Sequence, residues 1–143
     1  MKFTKITEHL DCDCINGSIE DLNNYYALKT PKPRLREQDF SSHYEKGKPL
    51  TKNDCEHACS HRGVSMSIYN DITMSKVIET YKLLFPLFPK YKPYISIIKF
   101  NNYCGNIKHT PSYSNEHHYD LYKCDTFAFQ NVELVDVKEL HNV

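Results

Sequence analysis

The sequence predicts an α+β fold, with a mostly antiparallel sheet in the C-terminal half and one amphipathic helix packed against it. Three observations favour this class. One segment repeats its apolar residues at the spacing of a helix face, and several shorter segments are rich in β-branched and aromatic residues. The order along the chain is strand, helix and then four strands, which is typical of α+β proteins rather than of alternating α/β folds. A helix- and loop-rich N-terminal part precedes them.

The N-terminal part, residues 1–62, is polar and rich in turn-forming residues, and it is predicted to contain short helices joined by irregular segments. Residues 18–28 begin with a serine that is a candidate N-cap and place their apolar side chains on one helical face. Residues 28–35 contain two prolines, which predicts an extended connector. Residues 36–46 and 51–62 are predicted to be further helices, because each is followed by a glycine that can end a helix.

The C-terminal part, residues 63–143, carries the clearer pattern. Residues 63–69 alternate apolar and polar side chains, as a half-buried strand does. Residues 73–85 form the predicted helix, and residues 94–100 form a strand of β-branched and aromatic residues. The apolar stripe of the helix consists of Met74, Val77, Ile78, Tyr81, Leu84 and Phe85. The remaining predicted strands are residues 105–110, 117–123 and 132–137, of which the first two are expected to form a hairpin.

Length and composition limit the classes of protein that fit. A chain of 143 residues suits a single domain, 1–143, and its charge is balanced, with 18 Lys and Arg against 18 Asp and Glu. A formal net charge of zero excludes nucleic-acid binding driven by global charge. The sequence has no apolar run of the roughly 20 residues that a membrane span needs and no signal-peptide pattern. We therefore expect a soluble, cytoplasmic protein with no membrane partner.

Four cysteines are candidate metal ligands. Cys12 and Cys14 lie in a turn-like stretch, and Cys55 and Cys59 have the spacing that places both sulfurs on one face of a helix. In a reducing compartment, two thiolates from a loop and two from a helix would complete the tetrahedral shell of a structural zinc ion. The C-x2-C pairs of the common zinc sites are absent, and burial of the cysteines as small apolar side chains is the alternative.

The histidines near the C-terminus are the candidate catalytic residues. If the two strands of the predicted hairpin pair, His109 and His118 come close together, with Tyr119 or Asp120 beside them. Imidazoles near a phenol or a carboxylate suit acid–base chemistry, and Arg62 is a candidate for stabilising negative charge on a substrate. The same groups suit a second metal site, and a polar hairpin exposed to water is the simplest alternative.

Basic residues indicate a third kind of site. Lys29, Lys32, Arg34 and Arg36 lie in and beside the proline-containing connector, where they could follow a phosphate backbone. Motifs for nucleotide hydrolysis, dinucleotide binding, serine hydrolysis and zinc proteolysis are absent from the sequence, as are RNA-recognition and helix-turn-helix patterns. Binding of single-stranded nucleic acid therefore ranks below the other interpretations.

Two functional interpretations rank above nucleic-acid binding, which stays as the third. The favoured one is a small interaction or regulatory protein with a protein partner and an N-terminal part stabilised by zinc, because the chain is short and lacks a catalytic motif. The alternative is a small enzyme that uses the C-terminal histidines on a phosphorylated or nucleotide-like substrate. The sequence leaves open whether the protein is an enzyme, and it identifies neither a substrate nor a partner.

Overall fold

A six-stranded antiparallel sheet forms the centre of the computed structural model, which describes residues 2–84 and 92–143. The strands, in chain order, are β1 (Tyr25–Thr30), β2 (Val64–Tyr69), β3 (Tyr94–Phe100), β4 (Gly105–His109), β5 (His118–Lys123) and β6 (Val132–Glu139). Across the sheet they lie in the order β4, β5, β2, β1, β3, β6, and each neighbouring pair is antiparallel. β2 and β1 therefore lie at the centre, and β4 and β6 form the edges.

Short helices and turns connect the strands. The described α-helices are α1 (Thr4–Thr7), α2 (Cys55–Arg62) and α3 (Met74–Leu84), and 3-10 turns lie at Glu37–Phe40, Phe129–Asn131 and Leu140–Asn142. The Asp54 side chain caps α2, because its Oδ1 accepts a hydrogen bond from the backbone N–H of His57 at 3.0 Å. None of the described helices is long and apolar enough to cross a lipid bilayer.

One face of the sheet, which we call the helix face, packs against α3. Val77 is fully buried and Tyr81 nearly so, and both belong to a core cluster with apolar side chains from β1 and β3. The Tyr81 hydroxyl lies 2.8 Å from the Ser67 hydroxyl and donates a hydrogen bond to the Ala27 carbonyl at 3.0 Å. Burial raises the pKa of Tyr81 to about 12, so the phenol stays protonated and remains a donor.

The opposite face, the loop face, packs against irregular segments instead of a long helix. Tyr26, Met66 and Ile98 are buried in its core. Phe40, from a 3-10 turn of the N-terminal part, is fully buried in the same core, with its ring centroid 6.0 Å from that of Phe127. Side chains from both parts of the chain therefore build the core on this face.

The structure confirms the α+β class and the antiparallel sheet. The predicted strands and the helix at 73–85 are present with small shifts of their ends, while Phe85 lies outside the described residues. The helix-rich N-terminal part is not confirmed: residues 18–28 lead into strand β1, and residues 36–46 hold a short 3-10 turn. Helix α2 occupies the end of the helix predicted at 51–62. Periodicity does not predict β1. This strand is central and buried on both faces, so its apolar residues do not alternate with polar ones.

Candidate functional site

A cavity of about 320 Å³ opens on the helix face beside the C-terminal end of α3. Ser65 of β2 lines it, and further walls come from α2, from residues 112–115 and from the segment around residue 43. Three lysines from separate parts of the chain surround it, namely Lys29 on β1, Lys46 and Lys92. We call this space the lysine cavity.

Positive charge is concentrated around the lysine cavity. Partial burial lowers the pKa of Lys29 and, together with the charge of Lys48, that of Lys46. The pKa of Lys92 is lowered first by burial and then by the charges of Lys46 and Lys29. Burial and the charges of Lys48 and Lys46 also lower the pKa of His43, so this imidazole is neutral near pH 7. An anion in the cavity would relieve the cost of holding these ammonium groups together.

The one carboxylate among the described residues that line the lysine cavity is already paired. Asp39 Oδ1 lies 2.9 Å from the Nη2 of Arg36, and Asp39 Oδ2 accepts the backbone N–H of Arg36 at 2.8 Å. Arg36 lines a smaller adjoining cavity of about 210 Å³, which shares Asp39 and the three lysines with the lysine cavity. The guanidinium therefore takes up much of the charge that Asp39 would otherwise offer to the lysines.

A second cavity, of about 630 Å³, adjoins the lysine cavity. His57 of α2 and His109 of β4 line it, and we call it the histidine cavity. Ser60, Ser112 and His118 line both cavities, so we call these three residues the shared wall. A small molecule bound on either side of the shared wall would lie against the same hydroxyl and imidazole groups.

His118 in the shared wall has one ring nitrogen fixed by the backbone. Its Nδ1 lies 2.9 Å from the Thr110 carbonyl oxygen and 2.9 Å from the Thr110 hydroxyl. A carbonyl oxygen can only accept, so Nδ1 carries the hydrogen. The neutral imidazole therefore keeps its lone pair on Nε2, which makes no hydrogen bond to any of the described residues.

Asp120 lies behind the shared wall and is completely buried. Its Oδ2 accepts a hydrogen bond from the Ser60 hydroxyl at 3.0 Å, whereas its Oδ1 has no hydrogen-bond partner among the described residues. Gly63 allows α2 to end this close to β5, because a Cβ at that position would lie 2.8 Å from the Cβ of Asp120. The close approach of the backbone at Gly63 to β5 thus places the Asp120 carboxyl within hydrogen-bond distance of the Ser60 hydroxyl.

Burial has the largest effect on the pKa of Asp120. It raises the pKa of the carboxyl and outweighs the opposing effects of the His118 charge, the hydroxyls of Thr110 and Ser60, and the Lys108 charge. Asp120 and His118 lie two residues apart on β5 and so share the helix face. The positive charge of a protonated His118 therefore lowers the pKa of Asp120.

Comparison with known proteins leaves the site unassigned. The chain matches no protein-family model, no curated protein and no solved structure. A function therefore has to be argued from the geometry of the two cavities.

The structure places the sequence-predicted catalytic residues on two faces of the sheet. His109 is opposite Tyr119 in the β4–β5 register, and their rings stack with centroids 4.7 Å apart. His118 lies on the opposite face of the sheet from His109 and Tyr119, because side chains alternate along a strand. His109 and His118 still both line the histidine cavity, whereas the ring of Tyr119 packs against Tyr26 at 5.7 Å. Asp120, rather than Tyr119, therefore shares a face with His118, and His109 lies on the opposite face although it lines the same cavity.

Arg62, predicted to stabilise charge on a substrate, lines neither the lysine cavity nor the histidine cavity. Its side chain donates hydrogen bonds to the carbonyls of Lys5, at 3.2 Å, and Glu8. The guanidinium carbon lies 3.9 Å from the centroid of the Tyr44 ring. These contacts join the end of α2 to the segment around α1. Arg62 lines a separate cavity of about 440 Å³ there, and its action on a substrate stays a prediction.

The four cysteines of the zinc hypothesis are close together, but as two disulfides. Cys12 is bonded to Cys55 and Cys14 to Cys59, with Cα atoms 5.5 and 5.4 Å apart. A disulfide sulfur has no thiolate with which to bind zinc. No group of three or more His, Cys, Asp or Glu residues in the described ranges is placed to hold a metal ion. Zinc binding by these cysteines therefore stays a prediction for the reduced chain.

Sequence reasoning missed the lysine cavity and the pairing of Ser60 with Asp120. Lys29 stands out in the sequence as part of a basic run, but nothing in the sequence joins it to Lys46 and Lys92. The usable signal is the alternation along β5, which puts Asp120 on the same face as His118. The partner on α2 depends on the close approach at Gly63, which the sequence alone does not show.

Proposed function

We propose that the protein binds a small phosphate ester in the lysine cavity. The observation that carries the proposal is the convergence of Lys29, Lys46 and Lys92, which belong to three separate segments, on one space. Ammonium groups bind phosphate oxygens by charge-assisted hydrogen bonds, and a phosphate dianion would offset the mutual repulsion of the three lysines. Ser65 and Ser112 supply hydroxyls in the same lining.

The rest of the lining favours an ester over free phosphate. Tyr81 and Leu84 of α3 bring apolar side chains to the lining of the lysine cavity, next to its polar and charged groups. Small-molecule sites combine apolar walls with a few placed polar groups, and this cavity lies at the lower end of their usual range of about 300–1,000 Å³. A phosphate attached to a compact organic group would use both kinds of surface.

Titration calorimetry with phenyl phosphate tests the proposal, with phenol as the uncharged comparison. We expect the native chain to bind phenyl phosphate more tightly than phenol, with an affinity that falls as salt is added. Lys46→Ala and Lys92→Ala should each weaken phosphate binding about tenfold, because hydrogen bonds to charged groups contribute about 1.5–3 kcal/mol.

Lys82→Ala is the matched control, since Lys82 lies on α3, is exposed and does not line the lysine cavity. Its affinity should equal that of the native chain. Equal binding of phenyl phosphate by the native, Lys46→Ala and Lys92→Ala proteins would contradict the proposal, as would a native protein that prefers phenol.

An interaction or regulatory function is the second candidate. Ile72, two residues before α3, is 91% exposed, and Leu83, near the end of α3, is 71% exposed. Large apolar side chains exposed to this extent suit contact with a protein partner. In this interpretation the N-terminal segment is held by its cysteines, through disulfides or through zinc in a reduced, cytoplasmic chain. It becomes the preferred interpretation if phenyl phosphate does not bind.

A further inference from the structure

We propose that His118 is the general base of a phosphate-ester hydrolysis at the shared wall. This inference rests on the proposed function, because the phosphate is the group held in the lysine cavity. It adds a reaction to the binding site, and it names the atom that removes a proton from water, His118 Nε2.

The position of His118 suits a general base. His118 lines the lysine cavity, where the phosphate would lie, and the histidine cavity, which offers space for water or for the rest of the substrate. A general base must stand within one hydrogen bond of the water that it activates. Among the described histidines, His118 alone lines both spaces.

The fixed tautomer of His118 also suits a general base. The Thr110 carbonyl holds the Nδ1 hydrogen of His118 at 2.9 Å, which leaves the lone pair on Nε2. Catalytic and metal-binding histidines are commonly oriented in this way by a carbonyl or carboxylate on the other nitrogen. His109 contrasts with this arrangement, because its Nε2 is itself 2.8 Å from the Glu116 carbonyl and its ring stacks on Tyr119.

Asp120 is a positioning residue for His118. Its carboxyl is fully buried, has one oxygen without a partner among the described residues and lies two residues from His118 on the same face. An unpaired buried oxygen is costly and uncommon in folded proteins. An ionised Asp120 would stabilise the imidazolium that forms when His118 takes a proton.

The reaction is balanced without a further reactant. A water molecule transfers one proton to His118 Nε2 while its oxygen forms a bond to phosphorus. The bond between phosphorus and the ester oxygen breaks. The leaving oxygen lies on the far side of phosphorus from the attacking water, so it takes its proton from solvent, and the imidazolium gives its proton back to solvent. The products are an alcohol and inorganic phosphate. Lys46 and Lys92 stabilise the charge that is spread over the phosphoryl oxygens during the transfer.

Hydrolysis of p-nitrophenyl phosphate, followed by release of p-nitrophenol, tests the inference on the full chain. We expect the native protein to turn over this probe, and His118→Gln to lower kcat about 100-fold or more while KM changes less than about threefold. His117→Gln is the matched control, because His117 is the neighbouring imidazole and lines neither cavity. It should keep the native kcat, and thermal unfolding of both variants checks that they fold.

Binding measured beside turnover separates this inference from the proposed function. Native protein that binds phenyl phosphate but releases no p-nitrophenol above the buffer rate overturns the role of His118 and leaves the binding proposal standing. A His118→Gln variant that keeps more than half of the native kcat has the same consequence. Failure of the native protein to bind phenyl phosphate overturns both.

Discussion

The buried carboxyl of Asp120 lowers the stability of the folded protein when it is ionised. The carboxyl is fully buried, and only one of its oxygens has a hydrogen-bond partner among the described residues. Burial penalises the charged form, so the pKa of Asp120 lies above its ordinary value. The folded chain therefore binds this proton more tightly than the unfolded chain does. Proton binding at Asp120 favours folding, and ionisation opposes it.

Replacing Asp120 by Asn should make the protein relatively more stable as the pH rises. The stabilising effect of the proton is fully present below the unfolded pKa, near 3.9, and is lost as the pH rises through the higher folded pKa. A tenfold difference in proton affinity between the folded and unfolded chains corresponds to about 1.4 kcal/mol. Urea unfolding of the native chain and of Asp120→Asn between pH 4 and 7 measures the difference in their free energies of unfolding.

Other carboxyls make the comparison with the variant necessary. Hydrogen bonds lower the pKa of Asp54 and Asp125, so these groups act in the opposite direction and lose their stabilising effect as the pH falls. They are the same in both proteins and cancel in the difference. A difference that stays constant across this pH range would show that the two states bind the Asp120 proton equally.

Individual residues also show how much of the site the sequence contains. Alternation along a strand is enough to put His118 and Asp120 on one face and Tyr119 on the other. The β4–β5 register, which sets His109 against Tyr119, depends on the hairpin loop, and periodicity does not define it. The lysine cavity depends on contacts between distant segments, for which the sequence holds no local signal.

Among the secondary-structure elements, burial on both faces hid β1 but not β3, because the run of β-branched and aromatic residues in β3 marks it as a strand. α3 has a polar and an apolar side, so its helical period is visible in the sequence. β1 has fully or nearly fully buried side chains at three consecutive positions, Tyr26, Ala27 and Leu28, and such a run fits a helix as well as a strand. Tertiary position, rather than local propensity, decided its structure.

Val77 and Leu83 provide a matched test of how α3 packs. Val77 is 0% exposed and Leu83 is 71% exposed on the same helix. Val77→Ala should lower the free energy of unfolding by about 2 kcal/mol, because it removes buried methyl groups and leaves a cavity against the sheet. Leu83→Ala should change it by less than about 0.5 kcal/mol. Urea unfolding measures both, and equal effects of the two substitutions would contradict the packing of α3 described above.

At the scale of the whole molecule, two disulfides tie the N-terminal segment to α2. They join residues 43 and 45 positions apart in the sequence. A single disulfide that closes a loop of this length stabilises a fold by about 4 kcal/mol in the chain-entropy description. The two bonds close nearly the same loop, so their joint effect is less than twice that value. The sequence groups these four cysteines correctly, but whether they act as thiolates or as disulfides depends on the redox potential around the protein.

The thiol state of the chain therefore separates the disulfide form from the zinc form. In protein prepared without reductant, we expect alkylation under denaturing conditions to modify only Cys104 and Cys124, the two free cysteines, and elemental analysis to find no stoichiometric zinc. After reduction, all six cysteines should be modified, and the free energy of unfolding should fall by about 3–5 kcal/mol because both loops are released.

Intact cells quenched directly into alkylating denaturant that contains a chelator show which form the protein takes in its own compartment, because zinc-bound thiolates are then released and disulfides are not. Disulfides persist in oxidising compartments and are rare in the cytosol, so protected Cys12, Cys14, Cys55 and Cys59 would indicate an oxidising location. Six modified cysteines in this assay, together with one zinc per chain in unalkylated protein purified under reducing conditions, would contradict the disulfide form if the zinc is lost in Cys55→Ser and kept in Cys104→Ser. That result would also favour the cytoplasmic, zinc-stabilised interaction protein, because four thiolates at these positions would then hold the N-terminal segment to α2 in place of the two covalent bonds.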